Sequence, residues 1–222
     1  MYCAFIGDIV KSKDIADRSK AQEDLFYILN EINKKYIHNI ASKFIITLGD
    51  EFQGVLKNAD SISDIIEDIS FFMFPIKIRF GIGFGDISTE LDANRALGAD
   101  GTAFYAARDA IDIIKESENK YESPTQRIYL QVHGKQSEVF DLLNFSLSFG
   151  SVIMEKWTKR QMEIIKEMRK NDNNQSRVAQ SLSINKSTVQ KSLVSSKYYE
   201  YIKLVETTRN TLIYLWEDAN DK

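Results

Sequence analysis

The sequence predicts an α+β chain. Residues 1–154 form a βαββαβ domain extended by one more helix and strand, and residues 155–222 form an all-α module. Three observations carry this. Apolar strand-like runs alternate with amphipathic helical stretches in the first part only. Two of those runs, Phe5–Val10 and Thr47–Phe52, carry a Gly-Asp pair at their polar end. The charge changes sign along the chain. Residues 1–154 hold 16 Lys/Arg against 23 Asp/Glu, a balance of −7, whereas 155–222 hold 13 against 9, a balance of +4.

The elements follow in order. Residues 3–10 read as a buried strand. Over 18–38, Leu25, Ile28, Leu29, Ile32 and Tyr36 recur at helical spacing. Residues 43–48 are an apolar, partly β-branched run. Gly49-Asp50-Glu51 supplies a tight turn, and 52–57 returns as the second arm of a hairpin. Ile62, Ile65, Ile66 and Ile69 share one face of a helix over 61–73, which Pro75 ends. A strand over 76–87, an Ala/Ile-rich helix over 101–117, a strand over 126–132 and a helix from about 137 complete the order. The first six elements match the split βαβ, or ferredoxin-like, arrangement. It implies an antiparallel sheet with helices on one face and the other face free. The first strand then lies beside the hairpin, with Asp8 and Asp50 at the same end. Gly81, Gly83 and Gly85 alternate on one strand face, which suits close packing of a helix. Their spacing, with no helix directly after, does not suit a dinucleotide loop.

Composition narrows the chemistry. No apolar run approaches about 18 residues, so no membrane span is expected. The start, Met1-Tyr2-Cys3-Ala4-Phe5, has neither a basic leader nor a cleavage pattern, so no signal peptide is expected. A single cysteine rules out an internal disulfide and suits a reducing cytoplasm. With Cys3, His38 and His133 far apart, any metal should be a hard cation held by oxygens. Asp8 and Asp50, with the Ile9 backbone, are the candidate ligands for magnesium or manganese. Such ions polarise an attacking hydroxyl and neutralise a leaving pyrophosphate. Lys11, Ser12, Gly49 and Glu51 are the candidate nucleotide contacts. Plainer roles compete. Asp50 and Glu51 also suit a polar turn, Asp8 a cap, and Lys11 and Ser12 a solvated loop.

These residues resemble the class III nucleotide cyclases and the GGDEF diguanylate cyclases. Leu48-Gly49-Asp50-Glu51-Phe52 is similar to the GGDEF signature, with Leu48 where that signature has glycine. Gly7-Asp8-Ile9 resembles the first strand of the class III enzymes, and Ile78–Gly85 their glycine-bearing strand. Gly98–Arg108 resembles the loop and helix that follow. The resemblance implies a palm-like fold and a two-aspartate metal site. It implies Arg108 as the candidate group for developing phosphoryl charge, a role that competes with a surface ion pair. It also implies two losses. Phe104 stands where a transition-state asparagine is expected, and Ile46 where a purine-selecting lysine is expected. Across the whole chain the sequence is similar to the bacterial SatD family. The similarity rests on Gly7-Asp8-Ile9, Thr47–Gly54, Arg79–Gly83 and Gly98–Gly101, and thins beyond residue 110.

The last part reads as a helix-turn-helix. Residues 157–170, 175–182 and 186–196 are helical, separated by Asn171–Asn174 and by Ser183-Ile184-Asn185. Val178, Ala179 and Leu182 would pack against Ile184, Val189 and Leu193, with Asn185 or Ser187 as cap. Lys186, Ser187, Thr188, Gln190 and Lys191 would face double-stranded DNA. A plain bundle with a basic surface competes with this reading. A final helix over 198–218 would either brace the module or pair two copies into a homodimer. The leading expectation is a cytoplasmic DNA-binding regulator with a cyclase-like domain that senses a nucleotide or a metal. The alternatives are an active magnesium- or manganese-dependent enzyme acting on a nucleoside triphosphate, and a non-catalytic adaptor.

Overall fold

β1 (Tyr2–Ile9) is buried from Cys3 onward on both its faces, as its almost unbroken apolar run requires, and it lies at the centre of the sheet. The structure, a computed structural model, describes residues 1–96, 98–121 and 126–220. The last two positions of the expected second unit therefore lie outside the described residues. β2 (Ile40–Leu48), β3 (Glu51–Leu56), β4 (Ile78–Gly85) and β5 (Ile128–Val132) complete a sheet of order β2-β3-β1-β4-β5. Four strands are antiparallel to their neighbours, and β5 joins parallel to β4. With eight α-helices among the described residues, the chain is α+β with a mixed sheet.

One face of the sheet carries α1 (Arg18–Lys35) and α2 (Ile62–Met73). Leu25, Ile32, Ile62, Ile65 and Ile69 pack there on Phe5, Phe52 and Phe80. The other face is not free, contrary to the sequence expectation. α3 (Thr102–Tyr121) lies across it, and Ala103, Ala107 and Ile111 pack on Ala4, Ile6 and Val55. The glycines explain this coverage. A Cβ on Gly81 or Gly83 would collide with the α3 backbone at Ala107 or Ala103. The remaining half of that face is covered by the segment before α3. Ser42 Oγ donates to the Asp92 carbonyl and Gln53 Nε2 to that of Ala96.

Both sheet edges are closed by buried asparagines. Asn33 of α1 pairs with the N–H and C=O of Phe44 on β2, both at 2.8 Å. Asn144 of α4 (Glu138–Glu155) does the same with Leu130 on β5, at 2.7 and 2.9 Å. One primary amide satisfies one donor and one acceptor of an otherwise open edge.

The helical part forms a second core. α5 (Lys159–Lys170) opens with a full capping box between Thr158 and Gln161. Left-handed Asp172 and Asn173 make the turn to α6 (Gln175–Ser181), whose N-terminus Asn174 caps. Ser183, also left-handed, leads to α7 (Lys186–Ser195). Asn185 is its N-cap residue but makes no side-chain cap bond. Met162, Ile165, Met168, Val178, Val189 and Leu193 fill this core.

α8 (Tyr198–Asn220) ties the two cores together. Tyr201 belongs to the helical core, while Leu212, Leu215 and Trp216 belong to the sheet core. Tyr201, Thr208, Leu212 and Leu215, from the face that the sequence offered for dimerising or bracing, are buried within the chain, so this helix braces. α2 contributes Phe71 to the helical core, edge-on to Trp157 at 5.9 Å.

Candidate functional site

The β2–β3 turn is two residues long, and Gly49 takes φ 64° at its first central position, which glycine tolerates without strain. Gln22 Nε2 on α1 holds the Gly49 carbonyl at 2.9 Å. Strand register sets Asp8 opposite Glu51 on one side and opposite Arg79 on the other. Asp50 is therefore one position beyond Asp8, at the same end of the sheet. Asp50 is half-exposed and has no ion-pair partner among the described residues.

Asp8 is not a free carboxylate. Its Oδ1 accepts from Arg79 Nη1 at 2.9 Å, and its Oδ2 pairs with Lys115 Nζ of α3 at 3.0 Å. Arg79 donates from Nε and Nη2 to both oxygens of Glu118, also on α3. Arg127 continues the series, donating to Glu118 at 2.8 Å and to Glu155 at 2.6 Å, and Lys77 closes it on Glu155 at 3.2 Å. Seven charges thus alternate in sign from Lys115 to Lys77, and Asp8, Arg79 and Arg127 are all buried. Burial alone would lower the Arg79 guanidinium, but its bonds to Glu118 and Asp8 outweigh this and raise it. Such a pattern satisfies buried charge locally.

The other predicted residues disperse. Arg108 donates to Glu51 Oε2 at 2.8 Å, an ion pair on the solvent side of α3. Ile9 is paired with Ile78 in the sheet, and its side chain is buried. Lys11 is left-handed and exposed, and Ser12 opens a short 3-10 turn, five residues before Asp17, the N-cap of α1. Lys11 lines a groove of about 360 Å³ with Asp14, Pro75, Lys77 and Arg127, away from Glu51. Among the described residues no group of three or more His, Cys, Asp or Glu side chains is clustered to hold a metal. At this end of the sheet Asp8 and Glu51 are answered by cations, whereas Asp50 has no ion-pair partner among the described residues.

A second candidate surface lies on α7. Lys186, Ser187, Thr188, Gln190 and Lys191 are all exposed, while Val189 and Leu193 of the same helix are fully buried. Lys186 and Lys191 have no ion-pair partner among the described residues. Gln190 is fixed. Its Oε1 accepts from Gln175 Nε2 at 2.6 Å and from the Tyr199 hydroxyl at 2.9 Å.

In a scan against protein families, the SatD family matches residues 2–213. The chain belongs to the SatD family. No curated protein matches it.

For this SatD-family chain, sequence reasoning singled out Asp8 but missed its partners Arg79 and Lys115 and the charges beyond them, Glu118, Arg127 and Glu155. One signal was present. Arg79 stands between Ile78 and Phe80 in a run that reads as buried on both faces, and a cation there demands a carboxylate. Nothing in the spacing tells which one.

Proposed function

We propose that this SatD-family chain is a DNA-binding regulator. In this reading α5–α7 form a helix-turn-helix, and residues 1–154 form a degenerate, ferredoxin-like domain related to nucleotide cyclases. The observation that carries it is the division of α7 into a buried apolar side and an exposed side bearing Lys186, Ser187, Thr188, Gln190 and Lys191. Two unpaired lysines beside hydroxyl and amide groups are what phosphate and base-edge contacts need. The cyclase relationship is supported by strand order β2-β3-β1-β4 with both crossovers spanning a neighbouring strand. Loss of catalysis is supported by the ion pairs that occupy Asp8 and Glu51. In this proposal a nucleotide reaching the free Asp50 end would bias DNA binding by drawing Arg108 or Lys115 away from its carboxylate. Residence in the cytoplasm follows from the DNA role and fits the buried free thiol of Cys3.

Titration of duplex DNA with the full chain at rising salt tests this. Binding should weaken steeply with salt and be lost in Lys186→Ala/Lys191→Ala. Absence of duplex binding at low salt would sink the proposal.

One observation favours a second reading. Asp50 has no ion-pair partner among the described residues and lies next to Glu51 and near Asp8, which supports a magnesium- or manganese-dependent enzyme acting on a nucleoside triphosphate. Product formed from ATP or GTP with either metal, and abolished by Asp8→Asn, would establish it. If the chain neither binds DNA nor turns over nucleotides, the adaptor reading stands.

A further inference from the structure

α4 has two apolar sides. Its inner side, with Leu143, Asn144, Leu147, Gly150 and Ser151, is buried. Its outer side carries Leu142, Phe145 and Phe149, exposed at 66%, 65% and 53%, followed by half-exposed Val152. Two mostly exposed phenylalanines on one helix face are not explained by the fold of a single chain. The rings of Phe145 and Phe149 lean on each other at 6.1 Å, which keeps them presented as one ridge. No charged residue occurs from 142 to 154.

The ends of this stripe are charged and opposite in sign. Glu138 begins the helix and Lys156 caps it, both exposed, and neither has an ion-pair partner among the described residues. Positions 138, 142, 145, 149, 152 and 156 are spaced 4, 3, 4, 3 and 4, so the stripe reads alike in both directions. Turned antiparallel onto itself, it brings Phe145 against Phe149, Leu142 against Val152 and Glu138 against Lys156. That is the self-complementarity of a two-fold contact.

We infer that the outer face of α4 is the contact surface between two copies of this chain, paired antiparallel about a two-fold axis near Leu147. The exposed ridge amounts to on the order of 400 Å² per copy, and roughly 800 Å² for the pair, from typical aromatic areas. This is at the low end for specific interfaces, so the dimer is weak and dissociates on dilution. A membrane is a poorer occupant, since the ridge is flanked by Glu138 and Asp141 and by a single cation, Lys156. The inference does not rest on the DNA reading, and its test contains no DNA.

Sedimentation of the full chain from about 1 µM to about 500 µM should show mass rising from monomer to dimer. Phe145→Ser and Phe149→Ser should each weaken association by roughly tenfold or more, with helix content by circular dichroism unchanged. Glu138→Lys and Lys156→Glu should each weaken it, and the double exchange should recover it. That recovery is specific to antiparallel pairing. A chain that stays monomeric throughout overturns the inference. So does a dimer insensitive to Phe145→Ser, a double exchange no better than its parts, or binding of the ridge to anionic vesicles without self-association.

Discussion

The alternating charges from Lys115 to Lys77 and the lysines on α7 differ in one respect: the first are answered and the second are not. Asp8, Arg79 and Arg127 are buried, Glu118 is partly buried, and the four form a series in which each charge meets its opposite. Lys186 and Lys191 are exposed and meet none among the described residues. The first set is held together by the chain itself. The second is available to something outside it. A conspicuous aspartate at a strand end is therefore weaker evidence for a ligand than two plain lysines on a short helix.

The largest effect that follows is on stability. Arg79→Met leaves Asp8 and Glu118 without their shared cation in a buried setting, and should cost about 3–5 kcal/mol in a urea titration. A loss below about 1 kcal/mol would break the comparison, because the sheet-end charges would then be as dispensable as surface ones. Next comes Gly83→Ala. The new methyl meets the Ala103 carbonyl and the Ala107 amide, so α3 must lift from β4, at about 1–3 kcal/mol. If the network depends on that close approach, the same variant should also weaken the effect of Arg79→Met.

A smaller effect concerns Glu67 on α2, where the helices of the second core meet the first. Burial raises its carboxyl above the usual range, against the pull of Arg169 and a hydrogen bond from Tyr201. Its Oε1 has no hydrogen-bond partner among the described residues. A raised folded value means that the native state holds the proton more tightly than the unfolded chain. The stability this contributes is full below the ordinary glutamate value of 4.5 and is lost as pH rises through the folded value. Glu67→Gln should therefore stabilise the chain by about 1 kcal/mol at neutral pH and flatten the pH dependence above 4.5. Thermal unfolding of both proteins across that range checks it. The smallest expected effect is that of Lys186→Ala/Lys191→Ala on folding, within about 0.5 kcal/mol. Together with lost duplex binding, that silence would sharpen the contrast between the two regions.

The backbone was largely legible from the residues. Apolar period, the Gly49 turn and Pro75 mark the strands and helices to within a few positions. The three alternate glycines of β4 announced a close neighbour, though not that α3 would cover the face thought open. The sheet-end site was legible only at Asp8, because its partners are 71 and 107 residues away and no local pattern links them. The outer ridge of α4 was hidden for another reason. Leu142 and Leu143, or Phe145 and Leu147, are equally apolar as letters, and only the packing of β5 and α8 separates the buried from the exposed. α8 shows the converse, since an apolar stripe that suits a partner copy is spent on the chain's own two cores.

Those two cores each contain one of the two tryptophans. Trp157 is in the helical core, its indole N–H donating to the Ser196 carbonyl at 2.7 Å. Trp216 meets Phe84 edge-on in the sheet core at 5.0 Å. The molecule thus has one tryptophan fluorophore per core. Trp157→Phe and Trp216→Phe would yield two single-colour reporters. Their melting curves, overlaid, would tell whether the helical part and the sheet part let go together or in turn.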